Sequence, residues 1–237
     1  METIQPLYDK QLKCLVCEYS FTSKKIRSRF VKVIAYDTDF CPTYNDEEGN
    51  ALYYNIHVCP CCGFSSSDDF SKYFPPLTKE EIQTKISAHW IPHHFGDKRT
   101  IQDAISTYKL ASYSAILKKE KHITTAGIFL RLAWLFRGKE DHEQEIRFLK
   151  IARQKYMDSY STDDFKGTQV SEIRILYLIG ELSRRISDVQ TAVKYFSIVI
   201  EQQSKAVETT IIEMARERWQ EIREQRDNNQ DHELINS

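Results

Sequence analysis

At 237 residues, with 33 Lys and Arg against 34 Asp and Glu, the chain has no basic excess to suit nucleic acid and no acidic tail. Seven glycines and six prolines are few, which favours a helical body over a sheet-rich one. No Gly-rich phosphate loop, HExxH or GxSxG motif occurs, so the sequence reads as non-enzymatic. Met1–Lys10 is polar and lacks the apolar stretch of a secretory signal. No apolar run approaches the roughly eighteen residues of a membrane span. The expectation is a cytoplasmic protein with reduced thiols and no membrane partner.

In chain order, the first chemistry is a pair of CxxC motifs, Cys14–Cys17 and Cys59–Cys62. Two intervening residues let one tight turn aim two sulfurs at a single ion. Two such turns supply the four thiolates of a tetrahedral, closed, structural Zn2+ site. Cys61 lies inside the second turn and should point away from the ion. Cys41, in Asp37-Thr38-Asp39-Phe40-Cys41-Pro42, admits two readings. It is a reactive thiol or additional metal ligand beside two carboxylates, or a small buried hydrophobe where the chain turns.

Phe30–Tyr36 and Leu52–Val58, rich in β-branched and aromatic residues, read as strands, with Asn45–Asn50 a polar turn between them. Residues 1–75 therefore read as a zinc-ribbon module: turn, strand, long loop, strand, turn. Such a unit buries little apolar surface, and a structural zinc worth on the order of 10 kcal/mol would stand in for a core.

After Phe74-Pro75-Pro76 the period becomes helical, and residues 76–226 read as a helical domain. Helices are expected in Thr78–His94, ended by Pro92, and in Thr100–Lys119, Thr124–Arg137 and His142–Tyr156. Others are expected in Ser171–Arg185, Val189–Gln203 and Lys205–Gln225. Gly138–Asp141 and Ile186–Asp188 look like short turns, 157–170 a polar connection, and 227–237 a polar, frayed tail. The fold class is α+β, mainly α.

Leu176, Ile179-Gly180, Ser183, Ala192, Phe196 and Val199 keep the spacing of a tetratricopeptide repeat, with small residues where two helices approach. Phe129, Leu132-Ala133 and Phe136 give a weaker copy, in which Glu145 stands where a small Ala is expected. In such arrays the first helix of each pair lines a concave groove. That counting puts Leu130, Trp134, Arg137, Arg174, Tyr177, Glu181 and Arg184 on the groove. Trp, Tyr and Arg dominate binding hot spots, and Arg forks onto carboxylates. The occupant expected is a peptide or protein segment of acidic character.

The order Tyr8…Cys14-x2-Cys17…Phe21-Thr22-Ser23-Lys24-Lys25, then Asp37–Pro42, then Val58–Phe64 resembles an uncharacterised bacterial family, domain of unknown function 2225. Tyr108–Ala111 and Leu130–Arg137 are similar to it as well, so the resemblance spans roughly residues 7–225. It implies a bacterial, cytoplasmic context and brings no activity with it.

Three function classes follow. The first is a protein-interaction adaptor with a structural zinc. The second is a nucleic-acid-binding zinc ribbon using Lys24, Lys25, Arg27, Arg29 and Lys32 with Phe21 and Phe30. Against it, residues 1–75 hold eight Lys and Arg and ten Asp and Glu. The third is a thiol-based redox sensor through Cys41, or a metal site at His89, His93 and His94, whose helical spacing Pro92 spoils.

Overall fold

The computed structural model describes residues 4–45, 49–204 and 207–235. Its N-terminal part is built from three antiparallel hairpins: β1 (Leu7–Lys13) with β2 (Ser20–Ile26), β3 (Val33–Tyr36) with β4 (Pro42–Tyr44), and β5 (His57–Val58) with β6 (Ser65–Ser66). β1 and β2 were not expected from the sequence. Their residues are half-exposed Lys, Gln and Ser, so apolar alternation is weak. Cross-strand pairs align them instead, with Leu7 opposite Ile26 and Asp9 opposite Lys24, whose ammonium lies 2.8 Å from the Asp9 carboxylate.

The two expected strands shorten. Phe30 closes a 3-10 turn, Ser28–Phe30, and the strand begins at Val33. Ala51–Tyr54 is also a 3-10 turn, leaving only His57–Val58 as strand. Leu52, Tyr53 and Tyr54 are all buried, which strand alternation disfavours, and the Asn50 side chain accepts from Leu52 N at 3.0 Å to start the turn. Asp46–Glu48 of the expected polar turn lie outside the described residues.

Among the described residues seven α-helices follow: α1 (Thr78–Lys85), α2 (Ile101–Lys118), α3 (His122–Gly138), α4 (His142–Thr162), α5 (Glu172–Arg185), α6 (Val189–Glu201) and α7 (Thr209–Ile235). Side-chain caps set the starts. Thr100 and Asp103 form a reciprocal capping box, while Asp141, Ser171 and Asp188 each accept from the N–H three residues on. α1 stops before Ile86, so Trp90 lies outside any helix. α4 runs six residues past its expected end because Tyr156 and Ser159 are buried and Gln154 and Lys155 bond Asp158. The backbone of α7 stays helical to Ile235, past the expected end at Gln225. Side-chain pairs such as Gln220 with Glu224 support it. Lys205, the expected first residue of that helix, and Asn236–Ser237 of the expected tail lie outside the described residues.

From α2 onward each helix packs mainly on the next in sequence. The three-residue connections after α3 and α5 are built alike. Each has its middle residue, Glu140 or Ser187, at positive φ and an Asp capping the next helix. A Cβ at Gly180 would lie 2.9 Å from the Phe196 ring, so the small residue sets how closely α5 and α6 approach. One hydrophobic cluster runs from Val16, Ile56 and Phe64 through Ile105, Tyr108 and Leu132 to Leu176, Phe196 and Ala215. Arg99, 5% exposed, ties the hairpins to the helices by donating to the carbonyls of Tyr53 (2.9 Å), Ile56 (2.8 Å) and Phe95 (2.8 Å) and to Ser23 Oγ (3.2 Å).

Candidate metal centre and helical groove

Both CxxC pairs sit at hairpin tips. In each, the residue after the second cysteine has positive φ, Glu18 at 61° and Gly63 at 74°. Its N–H returns to the carbonyl of the first cysteine, at 3.1 Å for Cys14 and 2.9 Å for Cys59. Gly63 serves a second purpose: a Cβ there would fall 2.5 Å from the Trp90 ring, which covers this turn and donates its indole N–H to Pro60 O at 2.9 Å.

The tips bring Cys14, Cys17, Cys59 and Cys62 together, all four sulfurs within 4.8 Å of one another. Cys14–Cys62 and Cys17–Cys59 are each 3.6 Å apart, too long for disulfides. A tetrahedral zinc with Zn–S near 2.3 Å needs sulfurs about 3.8 Å apart, so the set fits. Sulfur–sulfur hydrogen bonds from Cys59 and Cys62 depress the Cys14 thiol, and the Val16 N–H adds a bond at 3.4 Å. The same contacts push Cys62 and Cys59 up. Four protein ligands would hold a metal without leaving a position for substrate. Cys61 is exposed and lies outside this group. His89, His93 and His94 are exposed, and no metal-binding group includes them among the described residues.

The second assembly is the tip of the β3–β4 hairpin, Asp37–Cys41, seated on the helices. Two backbone bonds shape it, Asp37 N to Cys41 O (2.9 Å) and Phe40 N to Asp37 O (2.8 Å), with Phe40 at φ 65°. Arg137 of α3 forks onto Asp39, with Nη2 to Oδ2 at 2.6 Å and Nη1 to Oδ1 at 3.1 Å. It also reaches Asp37 at 2.9 Å and Glu145 of α4 at 2.6 Å. Trp134 donates its indole N–H to Asp39 at 3.0 Å. From α5, Arg185 reaches Asp37 at 2.6 Å and Thr38 Oγ1 at 2.8 Å. Tyr177 donates to Thr38 O at 2.8 Å, and Glu181 accepts from Thr38 Oγ1 at 2.5 Å. Phe40 lies 5.5 Å from the Tyr177 ring, beneath the Arg174 guanidinium at 4.6 Å.

Asp39 and Glu181 are fully buried, where an unpaired carboxylate would be costly, and both are paired with arginine. Glu181 accepts from both Arg184 (2.7 and 2.8 Å) and Arg185 (2.8 Å). Burial opposes charge on Arg137, but the hydrogen bonds it donates to Asp39 and Glu145 outweigh it and raise the guanidinium above its usual range. Burial likewise works against the Asp37 carboxylate, yet the Thr38 N–H and the Arg185 and Arg137 guanidiniums hold its carboxyl below the usual value.

Of the seven residues counted onto the groove, Trp134, Arg137, Arg174, Tyr177 and Glu181 touch this tip, and Arg184 braces Glu181. Leu130 is buried in the core, 3% exposed, and lines nothing. Arg185, Thr38 and Glu145 are contacts the sequence reading did not assign. Glu145 was legible as the residue that broke the repeat pattern: it is large and acidic because Arg137 needs a counter-ion. Arg185 follows Glu181 by four residues, the spacing of a helical ion pair. Cys41 is partly buried, outside the four-sulfur group, its thiol pushed up to about 12 by burial and then by Asp39.

The basic run of the N-terminal part is largely engaged. Lys24 pairs with Asp9, Lys25 with Asp68 at 3.3 Å, and Arg27 and Arg29 lie over the rings of Tyr8 and Phe30. No helix among the described residues is long and apolar enough to cross a membrane.

Comparison with curated proteins and with solved structures returned no match in either case. A family model matches residues 7–222, nearly the whole chain. The chain therefore belongs to the family described as "Uncharacterized protein conserved in bacteria (DUF2225)".

Proposed function

We propose that this protein is a non-catalytic, cytoplasmic interaction adaptor. A structural zinc at Cys14, Cys17, Cys59 and Cys62 holds the hairpin module. A tetratricopeptide-like array, α3 to α6, offers a groove for an acidic segment of a protein partner. One observation carries this reading: the groove already grips a short acidic peptide, Asp37–Phe40, through Arg, Trp and Tyr side chains. Those are the chemistry and residue types of a recognition surface. The like-built turns after α3 and α5 support the repeat reading. Engagement of Lys24, Lys25, Arg27 and Arg29 within the chain weighs against a nucleic-acid reader, which needs free cations.

The test is affinity capture of the tagged chain from its own cells, with and without nuclease. The adaptor reading expects a stoichiometric protein partner that survives nuclease and is depleted in an Arg174→Glu, Arg184→Glu variant. Nucleic acid, or partners that vanish with nuclease, would overturn it.

A further inference from the structure

We propose that the hairpin tip Asp37–Cys41 is a built-in ligand that closes the groove. A partner opens it by presenting the same signature: two carboxylates at i and i+2, followed by an aromatic ring. This rests on the adaptor reading and adds the partner's chemistry and its gate.

The tip is attached as a ligand is rather than as a core strand. Its two strands are short, and their outer faces are open, with Ile34 65% and Tyr36 67% exposed. What holds the tip is side-chain recognition. Each feature of the tetrapeptide has its own receptor group: Arg137 and Arg185 for Asp37, Glu181 and Tyr177 for Thr38, Arg137 and Trp134 for Asp39, and Tyr177 and Arg174 for Phe40. As a purely structural device this is a poor choice, because burying Asp39 and Glu181 costs more than apolar packing of the same volume. Charge pairs instead confer specificity and fast association, properties of a site that exchanges occupants. If the tip left unreplaced, Arg137 and Arg185 would lose their Asp37 and Asp39 partners. The groove therefore selects a replacement carrying the same charges.

Tethering sets the competition. A tip held by its own hairpin acts at an effective concentration on the order of millimolar, so a peptide in trans meets a strong internal competitor. Weakening the tip without touching the groove should remove that competitor. Asp37 and Phe40 are only half-buried and suit this purpose, whereas the fully buried Asp39 does not.

The experiment uses the full metal-loaded chain and a fluorescent peptide of residues 35–44, with its cysteine replaced by alanine. Asp37→Ala, Phe40→Ala chains should bind this peptide at least tenfold more tightly than the unmodified chain. Arg137→Met added to them should abolish binding, and a peptide with both aspartates replaced by asparagine should not bind. In the unmodified chain, excess peptide should accelerate alkylation of Cys41, read by mass spectrometry at that residue, because a displaced tip exposes its thiol. The proposal is overturned if the released variant, with helical content and metal content intact, binds no peptide. It is equally overturned if peptide leaves Cys41 alkylation unchanged in the unmodified chain. A nuclease-resistant partner found alongside either negative result would leave the adaptor reading standing and place the partner on another surface.

Discussion

Arg137→Met tests the electrostatic account most severely. The substitution keeps apolar volume and removes the guanidinium that bonds Asp39 twice, Asp37 once and Glu145 once. The Arg137 side chain is 21% exposed, while those of Asp39 and Glu145 are 0% and 10% exposed, so the loss falls on buried carboxylates. Removing one partner of a buried pair costs about 3–5 kcal/mol. That is a large part of the roughly 5–15 kcal/mol that holds a domain together. The cost has a ceiling. Once it exceeds the docking free energy of the tip, Asp39 escapes to water by undocking, and further loss stops. Two readouts are therefore needed in zinc-replete buffer: urea unfolding by circular dichroism, and Cys41 alkylation in a Cys61→Ser background. The expected result is a lower urea midpoint, faster Cys41 alkylation, or both. Arg137→Lys, which keeps charge but cannot fork, should fall between. A variant matching the unmodified chain in both readouts would refute the reasoning.

Further predictions concern the hairpin module. Metal analysis of the purified chain should give one zinc per chain, retained by Cys61→Ser and lost by Cys14→Ser; retention by Cys14→Ser would refute the four-thiolate site. Gly63→Ala puts a Cβ 2.5 Å from the Trp90 ring at φ 74° and should cost about 1–3 kcal/mol, with part recovered in a Trp90→Ala background. An additive double mutant would count against that clash. Arg99→Met strips charged donors from the Ile56 and Phe95 carbonyls and should cost about 2–5 kcal/mol in urea unfolding. A cost below about 1 kcal/mol would show that water replaces those bonds. Alkylation of Cys41 in the docked chain should be slow at pH 7 and climb about tenfold per pH unit to pH 10 without levelling off, because its thiol is pushed up to about 12 by burial. The sign follows: the raised thiol stays protonated below the ordinary value, and docking weakens as pH climbs above it toward 12. A rate that levels off near pH 9, as that of an ordinary thiol does, would contradict the burial.

The four-cysteine cluster was legible because CxxC spacing encodes its geometry locally. The helices from Thr100 onward were legible because caps and period agree, as at Thr100 and Ser171. The short strands were not, since β1 and β2 are aligned by individual cross-strand pairs, Leu7 with Ile26 and Asp9 with Lys24, rather than by a continuous apolar alternation. The surface that holds the β3–β4 tip was half legible. Helical periodicity placed Trp134, Arg137, Tyr177 and Glu181 on one side, but the tip they contact sits about a hundred residues earlier in the chain. Pairing Asp37 with Arg137 needs tertiary contacts that no local pattern records. Leu130 went wrong for the converse reason: a face counted from a degenerate repeat is uncertain by a residue, and one residue turns a helix by about 100°.

Native-state hydrogen exchange of the unmodified, metal-loaded chain tests the central claim most directly, namely that Asp37–Cys41 is an exchangeable occupant. The amides of Asp37 and Phe40, bonded within the tip, report its release. They should exchange through a local opening whose free energy lies below that of buried amides in α3 and α5, with little dependence on denaturant. If they exchange only with those helices, at the same free energy and the same denaturant slope, the tip is part of the core, and the account of a gated groove is wrong.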